Sequence, residues 1–185
     1  MIIPRITKPY EPGLPALGND LENYLISAGG SVTLKLEPGD SFKIINLEGL
    51  QQAELVVFNS KGECSLSPLS LKSDHKGELT KKILTSIEES AQIAYSKLKR
   101  LGHDVNSINQ SVLVFSKEAE ANSIEEFSSN DSSICIISAP GEFEITHENI
   151  PASELRVIVQ RLRKREEGEF LLPDPLMDPV EEIFV

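Results

Sequence analysis

The side chains that most often carry catalysis or bind metals are few in this chain. It has three histidines and two cysteines in 185 residues: Cys64, His75, His103, Cys135 and His147. No two of them stand at the spacing that metal ligands adopt on one helix or strand, and there is no Cys-x-x-Cys pair. Convergence of Cys64 with Asp74 and His75 in the fold stays open. On spacing alone we predict no metal site and no catalytic residue.

Sequence patterns of nucleotide-binding and hydrolytic enzymes do not occur either. Gly29-Gly30 is not followed by Gly-Lys-Ser/Thr and has no Gly-x-Gly-x-x-Gly frame. Neither Gly-x-Ser-x-Gly nor His-Glu-x-x-His is found. Paired carboxylates such as Glu88-Glu89, Glu125-Glu126 and Glu166-Glu167 are typical of solvated faces in so acidic a chain.

The stretch Glu48-Gly49-Leu50-Gln51-Gln52 is the best local candidate for a binding site. Glycine permits a tight turn with positive φ, which would let backbone approach a ligand. The amide side chains offer a donor and an acceptor to a neutral ligand such as urea or a carboxamide. A polar turn between two strands is the competing interpretation, and local sequence favours it.

Composition excludes several classes of partner. The formal net charge is -11 and the pI is about 4.8, so the excess of cations that nucleic acid or an anionic membrane would attract is missing. No run of about 18 apolar residues could span a bilayer. An amino-terminal signal peptide is not expected, because its apolar region would be interrupted by Pro4, Pro9, Pro12 and Pro15. We therefore expect a cytoplasmic protein with reduced thiols.

The chain divides into three parts by composition. Residues 1–20 form a Pro-rich arm, residues 21–165 a single α+β domain, and residues 166–185 a Pro-rich linker with the start of a further segment. The pattern of short apolar runs predicts a mainly antiparallel or mixed β-sheet, sandwich or barrel-like, with one or two helices.

Periodicity places the elements of this domain. Strands are predicted at 24–28, 32–36, 42–47, 55–58, 112–115, 134–138 and 154–162. We expect 42–47 and 55–58 to form a hairpin across Gly49–Gln52. A capping box at Ser86-Ile87-Glu88-Glu89 predicts a helix that ends at Gly102, and 118–131 is interpreted as a short helix with a loop. Six residues are predicted to be buried: Leu34, Ile44, Val56, Leu98, Val114 and Ile136.

Several short motifs resemble those of one known family. Ala28-Gly29-Gly30-Ser31, Pro38-Gly39-Asp40 and the pattern Gly49-x-Gln51-x-x-Glu54-Leu55 are similar to the start of the urea carboxylase-associated protein family. The segment 139–144 resembles a Pro-Gly-Asp-Tyr segment late in that domain. The resemblance covers about a third of the chain.

The resemblance implies a ligand pocket of which only part is retained. Gly49, Gln51 and Glu54 are the positions carried over, as vestigial ligand-binding residues. Glu54 stands where the family has Asp, and the Cys- and His-bearing motifs that hold a metal in the family are missing here. The chain therefore resembles a degenerate copy, with no catalytic and no metal-binding residue inherited.

The Pro-rich start and end are similar to those of longer proteins. In these, such a module precedes another copy and then a folate-dependent aminomethyltransferase domain akin to the glycine cleavage T-protein. The resemblance implies a non-catalytic amino-terminal module of a larger aminomethyltransferase-type protein of one-carbon and amine metabolism, which serves domain docking or substrate gating. Tetrahydrofolate would belong only to a T-protein-like domain, so no cofactor is expected in this chain.

The partners implied are further domains of the same polypeptide and a small amine or amide ligand. No nucleic acid and no membrane are expected as partners. The alternative is a small metabolic enzyme or accessory subunit that acts on urea-, guanidine- or amide-type compounds.

Overall fold

The computed structural model describes residues 20–87, 89–116, 118–141 and 154–162. Within these ranges lie two α-helices, α1 (Glu78–Leu84) and α2 (Glu89–Arg100). The strands are β1 (Leu21–Ile26), β2 (Ser31–Leu36), β3 (Ser41–Asn46), β4 (Glu54–Phe58), β5 (Val112–Leu113), β6 (Ser123–Ser128), β7 (Ser133–Ser138) and β8 (Leu155–Gln160). In the described part of the chain, neither helix is long and apolar enough to cross a membrane.

The strands form two antiparallel sheets that pack face to face. Sheet A has the order β1-β8-β3-β6 and sheet B the order β2-β7-β4-β5. Alternate residues of each strand point into the space between the sheets, as the two-residue period of a strand requires. The core between the sheets includes Leu34, Leu36, Phe42, Ile44, Leu55, Val57, Cys135, Ile137, Leu155, Val157 and Val159.

The two helices cover the other face of sheet B. Val56 and Ile136 point away from sheet A and pack with Leu84 and Leu98 of the helices in a second buried cluster. The hydroxyl of Thr33 on β2 donates to a backbone oxygen of α2, that of Ala94, at 3.1 Å. The described elements therefore form three layers in the order sheet A, sheet B, helices.

The predicted fold class is confirmed: the chain is α+β and dominated by antiparallel sheet. Five of the six predicted core residues are buried, and Val114 is only partly buried. Val114 follows the two-residue strand β5, where the chain bends, and Phe115 takes the buried position instead. The predicted arm up to residue 19, the linker at 166–185, and residues 142–144 and His147 lie outside the described residues.

Helix α2 starts later than the predicted capping box places it, and Glu88 within that box lies outside the described residues. Helix α2 begins at Glu89, and Ile87 has 90% of its surface exposed instead of packing on the core. The backbone N–H of Ser86 donates to the oxygen of Ile83 at 2.9 Å, so Ser86 closes the turn after α1. The later apolar residues Ala91, Ala94 and Leu98 are buried as their helical spacing predicts.

The short helix predicted within 118–131 is also wrong, because this segment contains β6. Residues Ser123–Ser128 pair along the whole length of β3. Strand β6 forms an edge of sheet A, where exposed acidic residues such as Glu125 and Glu126 are tolerated and discourage further pairing. The acidic, Ser-rich composition therefore reports the exposure of this strand, and the pairing with β3 determines its conformation.

The hairpin predicted from β3 and β4 is wrong as well. The two strands are consecutive in the sequence but belong to different sheets. Strand β3 pairs with β6 and β8, and strand β4 pairs with β5 and β7. Residues 47–53, here called the crossing segment, carry the chain from sheet A to sheet B. The candidate residues Gly49 and Gln51 lie in this segment, and Glu54 follows it.

Candidate functional site

Gly49 allows the crossing segment to approach another loop of the same chain. Its φ is +82°, a conformation that favours glycine, and the next residue, Leu50, also has a positive φ of 63°. A Cβ atom at Gly49 would lie 2.7 Å from the backbone oxygen of Ala119 and 2.8 Å from the nitrogen of Ala121. The N–H of Leu50 donates to that oxygen of Ala119 at 2.8 Å. The close approach that glycine permits is therefore made to the backbone of residues 119–121.

Gln51 is buried in the crossing segment, with only 4% of its surface exposed. Its side-chain nitrogen donates to the backbone oxygen of Gln52 at 2.9 Å. Its own backbone oxygen accepts a 2.7 Å hydrogen bond from the side chain of Asn46, the last residue of β3. Asn46 is fully buried, and its side-chain oxygen has no hydrogen-bond partner among the described residues. These amides fix the path of the segment between the sheets.

Glu54 begins β4 and is 1% exposed, which is unusual for a carboxylate. One carboxylate oxygen accepts from the backbone N–H of Thr80 at 2.5 Å. The other accepts from the hydroxyl of Ser111 at 2.8 Å, and the oxygen of that hydroxyl accepts from the N–H of Gly77, also at 2.8 Å. Glu54 therefore holds together strand β4, the first turn of α1 and the residue before β5.

This arrangement satisfies a helix end that has no local cap. Gly77 precedes α1, and no side-chain cap comes from that position. The first N–H groups of a helix have no partner inside the helix, and a carboxylate near them is favourable. Glu54 supplies that acceptor from 26 residues away. The hydroxyl oxygen of Thr80 is buried beside it and has no hydrogen-bond partner within the described ranges.

The three candidate residues thus have different partners. Gly49 lies against residues 119–121, Gln51 bonds to Gln52 and to Asn46, and Glu54 bonds to Thr80 and Ser111. Their polar groups are used to position the crossing segment and helix α1. The described hydrogen bonds are those of a structural support, and the nearby side-chain oxygens of Asn46 and Thr80 are buried with no partner among the described residues.

The residues that could do redox or metal chemistry are scattered over the structure. The ring of His75 contacts the carboxylate of Asp74 at 2.7 Å, and both side chains are exposed. The thiol of Cys64 donates to the backbone oxygen of Gln110 at 3.4 Å, next to Ser111, whose backbone pairs with that of His75. Among the described residues, no group of three or more His, Cys, Asp or Glu side chains is arranged to hold a metal ion.

His103 and Cys135 are placed by packing. The ring of His103 stacks on Phe58 with 4.6 Å between the ring centres. Burial lowers the pKa of His103, and a hydrogen bond with the backbone of Gly62 opposes this only in part. Cys135 lies in the core between the sheets, where burial raises the pKa of its thiol. The raised pKa keeps Cys135 in its thiol form, which is the less reactive form.

The sequence did not predict an ion cluster formed by the buried Asp40 and the partly buried Glu22 and Arg161. Arg161 donates to both carboxylate oxygens of Glu22, at 3.0 and 2.8 Å, and to Asp40 at 2.7 Å. It also donates to the backbone oxygen of Lys35 at 2.6 Å. The cluster joins the start of β1, the turn between β2 and β3, and the end of β8. The partners Glu22 and Asp40 precede Arg161 by more than 120 residues, so local sequence could not indicate them.

The charges in this cluster are strongly coupled. Burial tends to raise the pKa of Asp40, but hydrogen bonds from the N–H of Glu37, from Arg161 and from the N–H of Leu162 outweigh it, and the pKa is lowered overall. Burial tends to lower the pKa of Arg161, and the hydrogen bonds and charges of Glu22 and Asp40 raise it overall. Both groups stay ionised at neutral pH. With four hydrogen bonds made inside the chain, the guanidinium serves the fold.

Comparison with known proteins gives one relative over the whole chain. The sequence matches no family model. It is 30% identical over 191 residues to the trimethylamine-oxide aldolase of Ruegeria pomeroyi (strain ATCC 700808 / DSM 15171 / DSS-3). That alignment covers 100% of this chain and 24% of the aldolase, so the chain spans about a quarter of the length of the curated relative it matches.

A solved structure resembles the chain more weakly. The crystal structure of a DUF1989 family protein from Silicibacter pomeroyi DSS-3 aligns with a TM-score of 0.48 and 12% sequence identity. The alignment covers 88% of this chain and 89% of that protein. Neither of the two proteins is named as a urea carboxylase-associated protein or as an aminomethyltransferase. The resemblances to the urea carboxylase-associated family and to aminomethyltransferases therefore stay predictions.

Proposed function

We propose that this chain is a non-catalytic module of a larger polypeptide related to trimethylamine-oxide aldolase, in which it serves domain docking or substrate gating. The observation that carries the proposal is the alignment with that aldolase, which covers all of this chain and 24% of the relative. A module of a longer protein would align over its own whole length with one part of a relative, as this chain does with a quarter of the aldolase.

The geometry of the candidate residues supports a non-catalytic role. The side-chain nitrogen of Gln51 and both carboxylate oxygens of Glu54 are hydrogen-bonded inside the chain, and both residues are buried. A general acid or base must reach the substrate proton within hydrogen-bond distance, directly or through one water molecule. In this proposal Gly49, Gln51 and Glu54 are remnants of a pocket that the chain now fills with its own groups.

The chemistry of the larger polypeptide would then belong to other residues. The name of the relative makes trimethylamine oxide the first substrate to test, which fits a place in one-carbon and amine metabolism. The tetrahydrofolate chemistry of an aminomethyltransferase type would require a T-protein-like domain elsewhere in that polypeptide. This chain would hold no cofactor itself, and we expect the whole protein to be cytoplasmic.

The test compares the natural reading frame with the 185-residue chain. Both are purified and assayed for consumption of trimethylamine oxide. We expect turnover by the full-length product and none by the chain alone. Turnover by the chain alone would overturn the non-catalytic assignment, and a reading frame that ends at Val185 would overturn the assignment as a module.

A second measurement addresses the remnant pocket. The chain and its Gln51→Ala variant are titrated with urea, guanidine and acetamide by calorimetry at low concentrations that leave the fold intact. We expect no saturable heat for either protein. Saturable binding that is lost in Gln51→Ala, while Gln92→Ala on α2 still binds, would show a working amide site and favour the alternative function.

A further inference from the structure

Leu50 in the crossing segment has a backbone conformation that leucine rarely adopts. Its φ is 63°, in the left-handed region, where the Cβ atom of an L residue crowds the backbone. The other two non-glycine residues with positive φ in the described part of the chain are Ser70 and Asn122. Asparagine tolerates this region because its short polar side chain can hydrogen-bond locally, whereas an aliphatic side chain cannot. Leucine is therefore an unfavourable residue for this backbone position.

Core packing does not compensate for the conformation of Leu50. The residue is 48% exposed, although its neighbours Gly49 and Gln51 are buried. Strained backbone positions cluster at binding sites and switch regions, where the strain serves the site. An exposed leucine at a strained position contributes little to the described fold. A contact made outside that fold gives it a role.

The structure fixes the backbone on both sides of Leu50. Its N–H donates to the backbone oxygen of Ala119 at 2.8 Å. The backbone oxygen of Gln51 accepts from the side chain of Asn46 at 2.7 Å, and the backbone oxygen of Asn46 accepts from the N–H of Asn122, also at 2.7 Å. The crossing segment and the loop that contains Ala119 therefore brace each other. A side chain on a backbone that is fixed before binding loses less freedom on binding, which suits an anchor.

Three exposed carboxylates accompany Leu50. Glu48 stands two residues before it, and Glu118 and Glu120 flank the residue whose backbone oxygen accepts from Leu50. No ion pair joins these three glutamates to another described residue. Lys117, next to Glu118 in the sequence, lies outside the described residues. Leu50 and the three glutamates are called the crossing tip below.

The composition of the crossing tip defines what could dock on it. An apolar socket would take Leu50, and Lys or Arg side chains at the edge of the socket would meet the carboxylates. A two-fold contact between copies would instead bring like carboxylates together, in a chain whose net charge is -11. One leucine and three glutamates also bury far less than the ~1,200 Å² of a stable interface between free proteins. A covalently linked partner needs less area, because tethering raises its effective concentration to about the millimolar range.

We propose that Leu50 anchors this chain to a neighbouring domain of the same polypeptide, in an apolar socket whose Lys or Arg side chains meet Glu48, Glu118 and Glu120. This inference rests on the proposed function, and it names the surface and the chemistry of the partner. The alignment with the aldolase leaves most of that relative unmatched, which is room for such a domain.

Cysteine labelling of the isolated chain and of the full-length product tests the proposal. The reporter is Ala121→Cys in a Cys64→Ser background, an exposed position in the loop that braces Leu50. Ile87→Cys, before helix α2 and 90% exposed in the native residue, is the matched control. The probe is a small maleimide, mass spectrometry identifies the labelled peptide, and circular dichroism verifies that each variant is folded. We expect the reporter to react at least an order of magnitude more slowly in the full-length product, and the control to react equally in both proteins.

Replacement of the anchor separates docking from incidental shielding. In the full-length reporter protein, Leu50→Asn should raise the labelling rate toward that of the isolated chain, whereas Ile87→Asn should leave it unchanged. In the isolated chain, Leu50→Asn should not lower the melting temperature, because asparagine adopts a positive φ more readily than leucine. A melting temperature lowered by several degrees would show that Leu50 serves the fold and would overturn the proposal.

A charge reversal tests the chemistry assigned to the socket. In the full-length reporter protein, Glu48→Lys should speed labelling several-fold, because the cations of the partner would then meet a like charge. Glu125→Lys, exposed on β6, is the control and should leave the rate unchanged. Equal rates in the two variants would overturn the assigned charge complementarity.

Other outcomes overturn the proposal in distinguishable ways. Equal reporter rates in the isolated chain and the full-length product would show that the crossing tip stays open. Slow labelling in the isolated chain, independent of concentration, would show that other segments of this chain cover the tip. Protection that increases with concentration would identify a second copy. If the full-length product turns over trimethylamine oxide and the reporter rates are nonetheless equal, only the docking anchor fails and the proposed function stands.

Discussion

Replacement of Glu54 by Gln should destabilise the protein by about 2 to 4 kcal/mol. In the native structure the two carboxylate oxygens accept from the N–H of Thr80 and from the hydroxyl of Ser111. An amide keeps the shape of the side chain and one acceptor oxygen, but its NH₂ group can only donate. One buried donor therefore loses its partner, which costs about 1 to 3 kcal/mol, and the other bond loses the strength of a charged acceptor, about 1 kcal/mol more.

The free energy of unfolding is measured by urea denaturation at pH 7. Glu125→Gln, an exposed substitution of the same chemistry on β6, is the control and should change it by no more than about 0.5 kcal/mol. A cycle with Ser111→Ala and the double variant should show a coupling energy of about 1 kcal/mol, as expected for side chains in direct contact. Hydrogen exchange should show the amide of Thr80 less protected in Glu54→Gln.

Two results would refute the reasoning about Glu54. One is a change in the free energy of unfolding as small as that of Glu125→Gln, which would mean that the carboxylate does not hold the start of α1. The other is a loss of stability with unchanged exchange at Thr80 and no coupling to Ser111. In that case the destabilisation would come from somewhere other than the three-way contact.

Three further predictions follow from the same structure. Gly49→Ala should lower the free energy of unfolding by more than about 2 kcal/mol, because a Cβ atom there would lie 2.7 Å from a backbone atom. The control is Gly102→Ala, which has a similar φ of +86° but no atom within 4 Å of the added Cβ, and it should cost only about 1 kcal/mol. Similar losses in the two variants would show that Gly49 does not approach residues 119–121 tightly. Because the pKa of Asp40 is lowered in the folded protein, its carboxylate stabilises the fold at pH values above the ordinary pKa of 3.8. This contribution is lost as the pH falls through the lowered pKa, so Asp40→Asn should flatten the acid side of a plot of stability against pH. An unchanged slope would contradict the prediction. Burial raises the pKa of the Cys135 thiol, so Ellman's reagent should react with Cys64 alone in the native protein and with both thiols in denaturant. Rapid reaction of two thiols in the native protein would contradict this.

The sequence predicts the strands whose two faces have different environments. In β3 and β8 the buried positions alternate, because one face of each strand packs in the core, although the apolar residues Ile45 and Ile158 lie on the other face. What this pattern leaves undetermined is the partner of each strand. Strand β3 pairs with β6 and β8, which are far along the chain. The prediction that it pairs with β4, the next strand in the sequence, was therefore wrong.

Helix α1 illustrates a different gap between sequence and structure. It is seven residues long and has no capping side chain at Gly77. Its cap, Glu54, lies on a strand that precedes it by more than twenty residues. Sequence reasoning selected Glu54 through a family resemblance and assigned it to a ligand pocket. Its observed partners, Thr80 and Ser111, become neighbours only when the two sheets and the helices are assembled.

The place of β8 in sheet A has a consequence for how the protein is made on the ribosome. This last described strand lies between β1 and β3, and among the described strands β1 pairs with β8 alone. A nascent chain that ends before Leu155 has therefore synthesised β1 and β3 but not the strand that joins them. Such an intermediate leaves apolar residues of sheet B such as Leu55 and Ile137 without the side chains of β8 that cover them in the core. Pairing between such distant segments is slow, and exposed apolar strands aggregate readily. The sandwich of described strands therefore closes only when β8, the last of them, has been synthesised.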